Sequence, residues 1–352
     1  MKISQKFAFC FLLIACLQCS KTKNPLQNPE IRETEFQSEN VSYQSIGLTL
    51  NGVLTIPLVE DDVPGVLIIN RFGQIDRDGE IVDNDSVDVP IYKMLAEYLS
   101  SHNFAVLRYD KRSLPEYNIG RSNISEYDQL KDIHASINFL RNRSEVDENS
   151  IFIIGHEEGG NLASVAASEK DAIKGIVLIA SPAFAVDTLM LARITSDPNT
   201  SNEVKFYTRV AFNYFRNNHK YNYIIDYYVM GYRIPYWCQW MNYSQNADSI
   251  ITNLNKDVFA IQGLADETYP SGTLERNLEC WNCIASQSES IEFKAYEKVT
   301  HLLLDKNTSE VSEAVLEGIL VWMYENSITR YKGRVDISLM PSSLLNKRID
   351  DQ

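Results

Sequence analysis

Three residues far apart in the chain could share one reaction: Glu157, Asp266 and His301. Glu157 is the centre of Gly155-His156-Glu157-Glu158-Gly159, which follows the apolar run Ile151–Ile154 and precedes a helix-like segment. A sharp glycine-flanked turn from strand to helix presents its central side chain for nucleophilic attack, and serine is the usual centre. A serine needs a histidine to take its proton. A glutamate, with an ordinary pKa of about 4.3, is already ionised. Its attack on an ester carbonyl would give an anhydride, a poor route. Its attack on an alkyl carbon, as in an epoxide or a haloalkane, would give an ester that a histidine-activated water could hydrolyse. Asp266 closes Gln262-Gly263-Leu264-Ala265-Asp266 after a further apolar run, and His301 follows the run ending at Tyr296. The chain order of nucleophile position, acid and histidine suits a triad. The charges place His301 between two carboxylates, Glu157 and Asp266, which looks more like an ion-pair cluster than a poised base.

Positioning these residues requires alternating strands and helices. Gln44 to Pro57 reads as a hairpin turning at Asn51-Gly52. Strands are expected at Val63 to Asn70, Phe104 to Tyr109, Ile151 to Ile154, Ile173 to Ala180, Asp257 to Gln262 and Ile291 to Tyr296. Helices are expected at Ile91 to Ser101, Tyr127 to Asn142, from Asn161 to Ser168, and near Val311 to Tyr324. The alternation predicts an α/β fold with a mostly parallel, doubly wound sheet covered on both faces. Residues 183–255 interrupt the rhythm with a helical, tyrosine-rich stretch that reads as an inserted cap. Most of its aromatics, Trp237 and Trp240 among them, are expected to pack the cap's own core. The core itself is then 43–182 and 256–330, with a tail at 331–352.

Two further segments complete a pattern: Phe72-Gly73-Gln74-Ile75-Asp76-Arg77-Asp78-Gly79 and Leu107-Arg108-Tyr109-Asp110-Lys111-Arg112. With the Gly155–Gly159 turn and the Asp266/His301 pair, they resemble the α/β-hydrolase superfamily. The likeness is to bacterial esterases related to serine peptidases of the prolyl-oligopeptidase and serine aminopeptidase kind, and it spans about Val63 to Tyr324. The resemblance implies catalytic positions at Glu157, Asp266 and His301, and an oxyanion hole from the backbone N–H groups of Glu158 and of Phe72 or Gly73. It implies no cofactor. The chain departs from the pattern at Glu157, which stands for serine, and at Ser113, which stands for glycine. Arg71 and Phe72 replace smaller residues in the oxyanion loop. The expected result is an esterase-like pocket with weak or no serine-hydrolase activity. The alternatives are a pseudoenzyme that binds a small molecule, or a carboxylate-nucleophile hydrolase. Asp76, Arg77 and Asp78 are expected to brace their loop by ion pairing.

The N-terminus carries Lys2 and Lys6, then an apolar run from Phe7 to Ala15, and ends Leu13-Ile14-Ala15-Cys16. The run is short for a bilayer span and suits a signal-peptide core. The ending resembles a bacterial lipobox, which would make Cys16 an acylated N-terminus, residues 1–15 a signal and 16–42 a polar tether. That implies a lipid bilayer as partner through Cys16 and a cell-envelope location. The net charge of -14 argues against nucleic acid or an anionic membrane surface as a partner. Cys280-Trp281-Asn282-Cys283 could form a local disulfide in an oxidising compartment. Zinc would need a second ligand pair, and the sequence offers none, so no metal site is expected.

Overall fold

The structure, a computed structural model, describes residues 33–81, 89–218, 228–270 and 272–328. Cys16 with its neighbours, the tail after 328, and Tyr221, Tyr223 and Tyr227 of the inserted stretch lie outside the described residues.

Strands β1 (Phe36–Ser45), β2 (Leu48–Pro57) and β3 (Val63–Ile69) open the chain. Helix α1 (Ile91–Ser100), β4 (Ala105–Tyr109), α2 (Glu126–Arg141), β5 (Val146–His156), α3 (Glu158–Glu169) and β6 (Ile173–Ile179) follow. The insertion holds α4 (Val186–Ser196), α5 (Asn202–Asn218), the short pair β7 (Tyr228–Val229) and β8 (Tyr232–Arg233), α6 (Ile234–Gln245) and α7 (Ala247–Thr252). Strand β9 (Asp257–Gly263), α8 (Thr273–Ala285), β10 (Ile291–Tyr296) and α9 (Glu313–Ile328) close it.

The main sheet has eight strands in the order β1-β2-β4-β3-β5-β6-β9-β10. The first two pairings, β1 with β2 and β2 with β4, are antiparallel; the others are parallel. Strands β3, β4 and β6 are buried almost throughout because helices cover both faces. One core layer joins Leu67, Ile153 and Leu178 to Ile133 and Leu162 from α2 and α3. The other joins Val66, Ile154 and Val177 to Leu95 of α1 and Ile319 of α9. Ser125 starts α2 with a reciprocal cap: its hydroxyl accepts from the Asp128 N–H, and the Asp128 carboxylate accepts from the Ser125 N–H.

The hairpin turns at Ile46-Gly47, with Gly47 at φ +67°, and not at Asn51-Gly52. Gly52 sits inside β2, where a Cβ would lie 2.8 Å from the Arg108 carbonyl oxygen. Strand β1 starts at Phe36, within the segment read as tether. In the insertion, Trp237, Trp240, Tyr232, Tyr236, Phe212 and Phe215 form a core of their own, as expected, whereas Tyr207, Tyr214 and Tyr228 are exposed. Ala247 and Ile251 of α7 join the main core.

Candidate active site

The elbow is built by close approach. Glu157 stands between β5 and α3 with φ 52° and ψ -110°, a conformation costly for a residue with a Cβ. Its N–H donates to the Ile179 carbonyl at 2.8 Å, which ties the turn to β6. A Cβ on Gly159 would lie 2.4 Å from the Ile69 carbonyl oxygen, so α3 could not start this close to β3 with any other residue there.

Asp266 and His301 come together because their loops are stitched by backbone. The Ala265 N–H donates to the Val299 carbonyl at 3.0 Å, just beyond the ends of β9 and β10. The His301 Nδ1 then lies 2.9 Å from Asp266 Oδ2. Asp266 also accepts from Gln262 Nε2 at 3.1 Å, the Thr268 N–H at 2.9 Å and the Thr268 hydroxyl at 2.6 Å. Burial opposes its ionisation, but the imidazole and these hydrogen bonds outweigh burial and hold it well below the usual carboxylate range.

The Glu157 carboxylate turns elsewhere. Its Oε2 accepts from the Phe72 N–H at 3.1 Å, and its Oε1 accepts from Arg193 Nη1 at 2.5 Å. Neither oxygen is hydrogen-bonded to His301, so the expected bridge from His301 to two carboxylates exists only on the Asp266 side. The reason is reach: glutamate is long enough to fold over into the loop at Phe72, where Arg193 of α4 waits. Arg193 is fixed in turn by donating to the Thr268 carbonyl at 2.5 Å and to its hydroxyl at 3.0 Å. Burial again opposes ionisation of Glu157, yet the charge of Arg193, then that of His301, with the bonds from Arg193 and Phe72, hold its pKa below the ordinary value. The carboxylate therefore occupies the Phe72 N–H, one of the groups expected from the resemblance to serve an oxyanion.

Glu158 begins α3, where its own N–H has no acceptor within the helix. Its side chain is fully buried and accepts from Lys111 Nζ at 2.6 Å, from Gln129 Nε2 at 3.2 Å and from the Tyr236 hydroxyl. Lys111 also donates to the Arg71 carbonyl at 3.1 Å, so one cation braces both the elbow and the loop facing it. Glu126 lies against this group, fully buried, and accepts from Gln129 Nε2 at 3.2 Å. Burial first, then the neighbouring charge of Glu158, push the Glu126 carboxyl well up.

Phe72 packs its ring against the aromatic core of the insertion. Its ring lies 5.2 Å from Trp240 and 5.5 Å from Trp237 and Tyr232, centroid to centroid. Gly73, at φ +110°, follows without contacting Glu157; its carbonyl accepts from the Ser113 hydroxyl at 3.4 Å. Ion pairing braces the next turn as expected. Asp76 Oδ1 accepts three backbone N–H groups at 2.9 Å, Arg77 pairs with Asp110, and Arg108 pairs with Asp78. The local disulfide that Cys280 and Cys283 could form is not present. Cys280 and Cys283 are both free on α8, one turn apart, with Cys280 packed inward and Cys283 exposed. Among the described residues, no group of three His, Cys, Asp or Glu is arranged to hold a metal.

The α/β-hydrolase fold is what this sheet and site define. A family model described as "Serine aminopeptidase, S33" matches residues 88–227. Esterase EstD of Thermotoga maritima is 24% identical over 318 residues, covering 86% of this chain and 71% of its own. Among solved structures, the α/β hydrolase GrgF from Penicillium sp. sh18 superposes with a TM-score of 0.55 at 16% identity, covering 83% of this chain and 99% of that one. Est1E from Butyrivibrio proteoclasticus gives 0.54 at 19% identity, covering 82% and 98%. The chain thus has the α/β-hydrolase fold and is similar in sequence to an esterase.

Sequence reasoning missed Arg193 and Thr268. Thr268 had a local signal, a hydroxyl two residues after Asp266. Arg193 had none.

Proposed function

We propose that this protein keeps an esterase-like pocket for a small-molecule ligand but has weak or no serine-hydrolase activity, because Glu157 fills its own oxyanion site. One observation carries the reading: the Glu157 carboxylate is held between the Phe72 N–H and Arg193. Acyl transfer needs a nucleophile that histidine can deprotonate and vacant donors for the oxyanion. Glu157 supplies no hydroxyl and takes up a donor.

A second reading has Glu157 attack an alkyl carbon. The assembled Asp266–His301 pair favours it, since it could activate the water that cleaves the resulting ester. The Arg193 guanidinium on Oε1 opposes it by lowering the basicity of the attacking oxygen.

Purified protein tested with fluorophosphonates and short-chain aryl esters should show no labelling and negligible turnover. Labelling that maps to any serine would overturn the proposal. Single turnover of an epoxide or haloalkane in heavy-oxygen water would instead place the label in Glu157 if the second reading holds.

We further propose that Cys16 is acylated and that the protein is tethered to a membrane of the cell envelope. Mass spectrometry of the mature chain should find an acylated N-terminal Cys16. A mature chain that starts elsewhere without lipid would refute this.

A further inference from the structure

Helix α5 is amphipathic in an unusual sense. Thr208, Ala211, Phe212 and Phe215 are buried, with Phe212 edge-on to Trp237 in the core of the insertion. The opposite side is also apolar: Phe206, Tyr207 and Val210 are 59%, 51% and 49% exposed. Residues 206, 207 and 210 fall on one face by their i, i+3 and i, i+4 spacing. Three large side chains left in water side by side on one face of one helix are more than scattered surface hydrophobics.

The charges around them are the reverse of the protein's. The chain carries a net charge of -14, yet α5 holds Lys205, Arg209 and Arg216 against the single acid Glu203. Arg216 is already engaged with Asp187, which fastens α5 to α4. Aromatic and aliphatic side chains flanked by Lys and Arg are the composition of a helix lying in a lipid–water interface, with rings among the headgroups and cations at the phosphates.

We infer that the exposed face of α5 docks on the surface of a phospholipid bilayer. The inference rests on the proposed Cys16 anchor for proximity. From Cys16 to the start of β1 there are about 20 residues, a reach of ~70 Å when extended. A fold of about 300 residues has a radius of gyration of only ~19 Å, so the tether spans the molecule and any face can meet the membrane. Tethering would raise the effective concentration, but the α5 face is taken to bind lipid by itself, measurably so in the untethered chain. The acidic bulk would hold other faces away from anionic lipid, which leaves α5 as the oriented contact.

The test uses the chain from Leu17 onward, which retains every described residue and has no acyl chain. It is floated with vesicles of phosphatidylethanolamine and phosphatidylglycerol. The parent should co-float. The double variant Phe206→Ser/Val210→Ser should partition about tenfold less, as loss of that apolar burial requires. Its circular dichroism and melting should be unchanged, because both positions are exposed. Lys205→Glu/Arg209→Glu should weaken flotation on the same vesicles. Absence of parent flotation, or equal flotation of parent and serine variant, would overturn the inference. So would a serine variant that only dissociates a parent dimer, which would make the face a contact between copies. Because no acyl chain is present, this result is independent of whether Cys16 proves to be lipidated.

Discussion

Glu157 and Arg193 close a 2.5 Å ion pair that joins the elbow of the core sheet to helix α4 of the insertion. The elbow residue is 3% exposed at its side chain and its partner 22%. The pair has two effects: it keeps a charged glutamate against the Phe72 N–H, and it fastens the insertion down over it.

The first effect makes Arg193 expensive to remove. Arg193→Gln leaves the Glu157 charge buried against a single N–H donor. Unfolding in urea at neutral pH should show a loss of about 3 kcal/mol, the low end for a broken buried pair, since Arg193 is partly solvated. A loss under about 1 kcal/mol, as for a surface pair, would mean the bond is not maintained in solution.

The pH dependence follows from the depressed Glu157 pKa. Its contribution to stability is fully present above the unfolded value of about 4.3 and is lost as pH falls through the folded value. Glu157→Gln removes that contribution. The stability gap between parent and variant should be widest near neutrality and should narrow in acid. Parallel urea titrations across that range would expose a constant gap, which would mean that Glu157 does not gain from its partners.

Glu126 should behave in the opposite way. Its pKa is raised, by burial and by Glu158 beside it, with Lys111 as the nearby cation and Gln129 as donor. A carboxyl protonated when folded and ionised when unfolded costs stability as pH rises above the unfolded value. Glu126→Gln keeps the shape without that cost. The variant should equal the parent near pH ~4 and surpass it toward pH ~8. A variant less stable at the higher pH would show that Glu126 is ionised in place.

The parts of this site differ in how far the sequence exposes them. The parallel strands β3, β6 and β9 are legible because burial on both faces makes them continuous apolar runs. Strand β1 is not, because an edge strand that faces water carries Ser, Gln and Asn among its few apolar residues. Asn51-Gly52 misleads as a turn because its glycine serves close packing against β4 instead. Strand β5 begins at Val146, ahead of the apolar run, where Asp147, Glu148 and Asn149 extend beyond the covered part of the sheet. Asp266 and His301 are legible from their order after strands. Arg193 is not, since its role exists only once α4 has folded back over the elbow and brought it to a residue 36 positions away.

The proposed function requires Glu157 to fill the site that an acyl enzyme would leave open. Fluorophosphonate labelling and aryl-ester turnover of the parent, Glu157→Ala and Glu157→Ser test it most directly. Serine at the elbow would restore a hydroxyl beside His301 and free the Phe72 N–H. Only Glu157→Ser should be labelled, at residue 157, with turnover at least about a hundredfold above the parent, the usual span of one restored catalytic group. Labelling of the parent, or a Glu157→Ser variant as inert as Glu157→Ala, would contradict it.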